Sequence, residues 1–160
     1  MRQEAVTKEE ILKAFQDKFP GKMEEIPFVG VDVAFKVDRE LILGVCRFAK
    51  ETPELHFDLL ACQTCIDYVE HMEIVYNLFS FDKRHKIAIK TSVPRDGRID
   101  SVTPVWKAAN WHEREMAELF GVTFDNHPDP RPILLPEDWD QGYPMRKGWE
   151  GKDFVRLPEK

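Results

Sequence analysis

Three segments of the chain carry apolar residues at the spacing of an amphipathic helix. Before the first, Thr7 and Glu10 form a capping box that predicts the helix start, and Pro20 with Gly21 predicts its end. Asp38 is the predicted N-cap of the second helix. The apolar positions of that helix are Leu41, Ile42, Val45, Cys46, Phe48 and Ala49.

The third predicted helix runs from about Trp111 to Phe120. Asn110 is its predicted N-cap, Glu113 stands at the third helical position, and Gly121 is the predicted C-terminal stop. This segment matters most for function, because nearly every motif discussed below lies in it or after it.

Between these helices, alternating apolar and polar residues predict strands at 29–37, 56–62, 72–81 and 87–93, with a turn at 94–97. Helices and strands mix without a regular strand–helix alternation. The pattern therefore predicts an α+β fold with a mainly antiparallel sheet, flanking helices and an extended C-terminal tail.

The chain divides into a predicted α+β domain, residues 1–125, and an extended tail, residues 126–160. Six of the 11 prolines fall within the last 34 residues and oppose regular helix or sheet there. The tail also contains aliphatic and aromatic residues that disordered linkers generally lack. Because an extended chain cannot bury such side chains against itself, we expect them to pack on the domain or on another subunit.

Composition limits the classes of function. The chain has 160 residues and a net charge of −6 with the two signs interspersed. It therefore lacks the basic stripe of nucleic-acid binders and the Lys/Arg clusters that dock on anionic membranes. It contains no apolar run near the roughly 18–20 residues that span a bilayer and no recognisable signal or transit peptide. These features predict a soluble intracellular protein.

Two thiols spaced as CxxC, Cys62 and Cys65, form the motif closest to a redox or zinc site. A zinc site needs four ligands, and Cys46, His56 and His71 could complete one only if the fold gathered them. We favour structural thiols and keep a free-standing CxxC redox or zinc protein as an alternative.

The segment from His112 to Met116 is only superficially like a zinc protease motif, because Met116 stands where the second histidine ligand belongs. Glu113, Glu115 and Glu118 are candidate general acids or bases. Periodicity instead favours a solvated helix face, with Arg114 paired to Glu118 four residues on. By spacing alone, His127 is a structural or interface residue.

The segment from Asn110 to Lys147 resembles the thirty-kilodalton subunit of the peripheral arm of respiratory complex I (NADH:quinone oxidoreductase). The resemblance covers roughly residues 55–150. The residues that match the family signature in order are Glu113, Arg114, Glu115, Glu118, Phe120, Gly121, His127, Pro128, Arg131, Trp139, Pro144, Arg146 and Lys147. Glu118 replaces the usual Asp, and Pro132 replaces the second residue of the usual Arg pair.

The resemblance implies a structural and docking subunit of an oxidoreductase and translocase complex, with no catalytic residue, metal or cofactor of its own. Flavin, iron–sulfur clusters and quinone would belong to partner subunits. The chain would dock on the large hydrogenase-like partner, peripheral on the cytoplasmic side of a prokaryotic membrane and touching the membrane only through the complex. A membrane-bound energy-converting hydrogenase and an F420H2 dehydrogenase are the alternative assemblies.

The same resemblance implies roles for the motif residues. Glu113, Arg114, Glu115 and Glu118 would order the third helix and pair with partner charges. The tail would be anchored by polar residues and by two tryptophans. These anchors are His127, Arg131, Arg146 and Lys147, with Trp139 and Trp149 as apolar contacts.

Overall fold

The computed structural model describes residues 6–152 and residue 155. The end of the expected tail, residues 153–154 and 156–160, therefore lies outside the described part. Along the chain the elements are α1 (Lys8–Lys18), β1 (Met23–Glu25), β2 (Val33–Val37), a single 3-10 turn (Arg39–Leu41), α2 (Ile42–Glu51), β3 (Leu59–Asp67), β4 (His71–Phe79), β5 (Lys86–Pro94), β6 (Arg98–Asp100), α3 (Ala109–Phe120) and β7 (Thr123–Asp125).

Five strands form one sheet in the order β1-β2-β5-β4-β3. Only β2 and β5 run parallel within it, and the other three pairings are antiparallel. Strands β6 and β7 form a separate parallel pair. The predicted α+β fold with a mainly antiparallel sheet is confirmed.

A single core joins the three helices to one face of the sheet. From α1, the Phe15 ring lies 4.9 Å from the ring of Phe35 in β2. From α3, Ala109 and Met116 are buried in the same core. Within the described residues, no helix is long and apolar enough to cross a bilayer.

The helix termini follow local sequence signals in part. The capping box of α1 is confirmed, since Thr7 and Glu10 satisfy each other's backbone amides. Asp38 is not the cap of α2, because a 3-10 turn follows it and its side chain makes no capping hydrogen bond. Asn110 is not the cap of α3 either. Successive turns from 102 to 109 deliver the chain in helical geometry, so α3 begins one residue earlier, at Ala109.

Two predicted strands have different bounds. The strand expected from residue 29 begins only at Val33, because Gly30 turns the chain with φ +88° and leaves Val29 97% exposed. The strand expected at 56–62 begins at Leu59 and continues to Asp67. The CxxC motif therefore lies inside β3 and not at its end.

Candidate functional site

The buried face of α3 carries a carboxyl group. Glu113 is fully buried, and its Oε1 accepts hydrogen bonds from the Val102 N–H at 2.8 Å and from the Gln63 side chain at 3.4 Å. Burial raises the pKa of Glu113 to about 7. The prediction of a solvated face is wrong for Glu113, because it lies on the side of α3 that packs on β3 and the 102–109 turns. Glu115, on the other side, is exposed.

The second carboxyl oxygen of Glu113 faces the start of the tail. Its Oε2 lies 3.9 Å from His127 Nε2. The His127 ring accepts a hydrogen bond at Nδ1 from the Asp129 N–H, so its proton is on Nε2, which donates to the Asn110 carbonyl at 3.2 Å. His127 thereby ties the tail to the first turn of α3.

Arg114 holds the next part of the tail. Its guanidinium donates to the Arg131 carbonyl at 2.6 Å and to the Pro132 carbonyl at 3.3 Å, and it lies 3.7 Å from the Asp129 carboxylate. The expected pairing of Arg114 with Glu118 is therefore replaced by contacts to the tail. The Arg131 side chain is itself 79% exposed and pairs with Asp129.

Glu118 completes this line of contacts along α3. Its two oxygens accept from three successive backbone amides, those of Ile133, Leu134 and Leu135, at 2.8–3.3 Å. A carboxylate held by several converging N–H groups is the backbone arrangement known as a nest. The three motif residues Glu113, Arg114 and Glu118 thus face the protein's own interior or its own tail.

A second attachment point lies at the end of β3. Asp67 accepts hydrogen bonds from the Val69 N–H at 2.6 Å, the Lys147 N–H at 2.8 Å and the Arg95 guanidinium at 3.2 Å. Burial alone would raise its pKa, but the Lys147 and Val69 amides outweigh it and leave the pKa below its ordinary value. Only the backbone of Lys147 takes part, and its side chain is exposed.

Arg146 fastens the tail to the end of α3. It donates to the Phe120 carbonyl at 2.7 Å and to the Arg95 carbonyl and Asp96 carboxylate, both at 2.9 Å. Its guanidinium also stacks 4.4 Å from the centre of the Tyr143 ring. Sequence reasoning found Arg146 but missed Asp67 and Arg95, since no local pattern links positions 50 to 80 residues apart.

The two tail tryptophans pack on each other. Their ring centres lie 6.1 Å apart, and Trp139 and Trp149 donate to the backbone carbonyls of Gly142 and Gln141. The expectation that the tail cannot bury aromatics against itself is therefore wrong. Glycines with positive φ, such as Gly142 and Gly148, let the chain fold back.

The CxxC thiols point to opposite faces of β3. Cys62 is exposed and Cys65 is buried, as alternation along a strand requires. Because they stand three positions apart, about 10 Å along the strand, they cannot form a disulfide or bind one zinc ion together. Burial raises the pKa of Cys65 to about 12, which favours the inert thiol.

Comparison with known proteins identifies the family. Residues 35–155 match the family model described as respiratory-chain NADH dehydrogenase, 30 kDa subunit. The chain is 39% identical over 150 residues to the C-type subunit of NADH-quinone oxidoreductase from Geobacter sulfurreducens, covering 91% of each chain.

Two solved structures share the fold. One belongs to the membrane-bound sulfane sulfur reductase, an archaeal respiratory membrane complex, with a TM-score of 0.70 and 27% identity over 89% of this chain and 85% of that one. The other is the trypsin-resistant fragment of Nqo5, with a TM-score of 0.59 and 26% identity over 76% of this chain and 97% of the fragment.

Proposed function

Because the chain belongs to the 30 kDa subunit family of the respiratory-chain NADH dehydrogenase, we propose that it is a cofactor-free docking subunit. It would serve the quinone-reducing module in the peripheral arm of a proton-pumping NADH:quinone oxidoreductase. The large hydrogenase-like subunit would be its main partner. Flavin, iron–sulfur clusters and quinone would be held by partner subunits, on the cytoplasmic side of the membrane.

The observation that carries this proposal is an apolar surface on α3 and the tail. Trp111, Leu134 and Met145 are 66%, 60% and 55% exposed. They belong to one layer, because the Leu134 amide is bound to Glu118 of α3 and the Met145 amide donates to the Leu119 carbonyl. Exposed apolar side chains grouped in this way are typical of a protein–protein interface.

The tail contacts prepare this surface for a partner. The side chains of Arg114, Glu118 and Arg146 hold the tail on the domain, so the exposed apolar groups sit on fixed backbone. A surface ordered in advance loses less conformational entropy when a partner binds. The exposed charges at Glu115, Arg131 and Lys147 are left to pair with the partner at the rim.

The test is co-purification with the large hydrogenase-like subunit after replacing Trp111 and Leu134 together by serine. A central apolar anchor of an interface contributes about 2 kcal/mol or more, so we expect at least roughly thirtyfold weaker association. Val29→Ser is the matched control, since Val29 is also exposed but lies beside β2, away from α3. Unchanged association of the double variant would contradict the docking surface.

A second assembly is supported by the archaeal neighbour, whose complex is a sulfane sulfur reductase. In this version the chain is the equivalent subunit of a membrane-bound energy-converting hydrogenase or an F420H2 dehydrogenase. The intact complex, purified through a tag on this chain, distinguishes the two. Oxidation of NADH supports the first assembly, and oxidation of H2 or F420H2 without NADH oxidation supports the second.

A further inference from the structure

A cavity of about 220 Å³ lies between α3 and the tail. Its wall includes Ala117 of α3, Phe124 of β7 and Tyr143 of the tail, and Glu113 and His127 line it as well. At about 30 Å³ for each water, the cavity has room for several waters or for one small organic group. Nothing in the docking function uses this space.

One carboxyl oxygen of Glu113 opens onto the cavity without a partner. Glu113 is fully buried, and among the described residues no group hydrogen-bonds to its Oε2. A buried polar atom left unpaired costs about 1–3 kcal/mol, and more when it is charged. The ionised side chain therefore needs a hydrogen-bond donor from within the cavity.

The donors already in the wall are engaged elsewhere. The Arg114 guanidinium donates to two tail carbonyls and faces the Asp129 carboxylate. The His127 Nε2 proton is donated to the Asn110 carbonyl. An anion is disfavoured here, because it would meet the unpaired carboxylate of Glu113. The ligand that fits has N–H donors, a positive charge and a short apolar stem against Ala117 and Phe124.

We propose that this cavity is a binding site for a small organic cation, a primary ammonium or a guanidinium group that donates to Glu113 Oε2. Such a charge-assisted hydrogen bond is roughly twice as strong as a neutral one. The cation can be a free small molecule or the end of a lysine or arginine side chain from a neighbouring subunit. Both sources present the same chemistry to the cavity.

The test is an NMR titration of the full chain with methylguanidinium chloride at pH 8, with ionic strength held constant by NaCl. The reporter is the amide of Val102, which donates to the other oxygen of Glu113. We expect saturable shifts with methylguanidinium and none with tetramethylammonium, which has the charge but no N–H donor. A linear, non-saturating drift, or equal shifts with both cations, would overturn the site.

Two variants locate the binding. Glu113→Gln keeps the shape but removes the charge, and we expect binding about tenfold to a hundredfold weaker, as for loss of a charge-assisted hydrogen bond. Ala117→Leu leaves the carboxyl intact but fills the cavity, and we expect saturable binding to be lost. Either variant alone decides the matter if the other does not fold, and wild-type affinity in a folded variant would refute the proposal.

The intact complex distinguishes the two sources. If a basic side chain of a neighbouring subunit occupies the cavity, methylguanidinium binds the isolated chain but not the complex. If the natural ligand is a free molecule, the complex binds the probe as the isolated chain does. The isolated-chain titration does not depend on the docking function, so the two proposals fail separately.

Discussion

Replacement of Glu113 by glutamine should remove a large part of the pH dependence of folding stability. The pKa of this buried carboxyl is about 7 in the folded protein, against an ordinary value of 4.5. Between these values the folded state holds the proton more tightly than the unfolded state does, so the free energy of unfolding falls as the pH rises. A change from 4.5 to about 7 corresponds to about 3 kcal/mol, present in full below pH 4.5 and lost by pH 8.

The assay is urea unfolding of the wild type and of Glu113→Gln at pH 5 and at pH 8. We expect the stability difference between these two pH values to shrink by about 2–3 kcal/mol in the variant, because the amide does not titrate. Glu115→Gln makes the same change of charge on the exposed side of α3 and should leave the difference as in the wild type. The reasoning is refuted if Glu113→Gln retains the wild-type pH dependence.

The contacts of the tail and of β3 lead to three further predictions. Gly121→Ala should lower stability by about 1–3 kcal/mol more than Gly21→Ala in thermal unfolding, since both residues have positive φ but only a Cβ at 121 would lie 2.5 Å from the Tyr143 ring and the Arg146 guanidinium. Equal losses would contradict the close packing of the tail there. Glu118→Gln should speed amide hydrogen exchange at 133–135 about tenfold to a hundredfold by weakening three hydrogen bonds, and unchanged exchange would show that the tail does not depend on this carboxylate. A thiol reagent should modify only Cys62 in the native protein and all three cysteines in denaturant, whereas modification of two thiols under native conditions would contradict the burial of the others.

The elements that sequence reasoning predicted well are those with a local cause. The capping box at Thr7 and the C-terminal glycine of α3, with φ +75°, were predicted correctly because each depends on residues within one turn of helix. The strand ends were less accurate, because a strand extends as far as its neighbour can pair with it. β3 continues to Asp67, where its pairing with β4 ends.

The burial of Glu113 had a signal in the sequence that charge obscured. Ala109, Glu113, Met116 and Phe120 recur at spacings of four, three and four residues, which place them on one face of α3. Glutamate is rarely buried without a partner, so its type favoured solvent. The periodicity was the better guide, and the raised pKa and the adjoining cavity are the consequences of that position.

The tail shows where sequence reasoning has to stop. Its backbone amides are bound by the carboxylates of Asp67 and Glu118, up to 80 residues away in the chain, and no pattern of local spacing encodes such contacts. The family resemblance singled out Arg114, Glu118 and Arg146, but their polar atoms are engaged by the protein's own tail. Substituting these charged residues would therefore loosen the tail and change any interface indirectly. Exposed apolar residues such as Trp111 and Leu134 test docking without that ambiguity, because their side chains do not hold the tail in place.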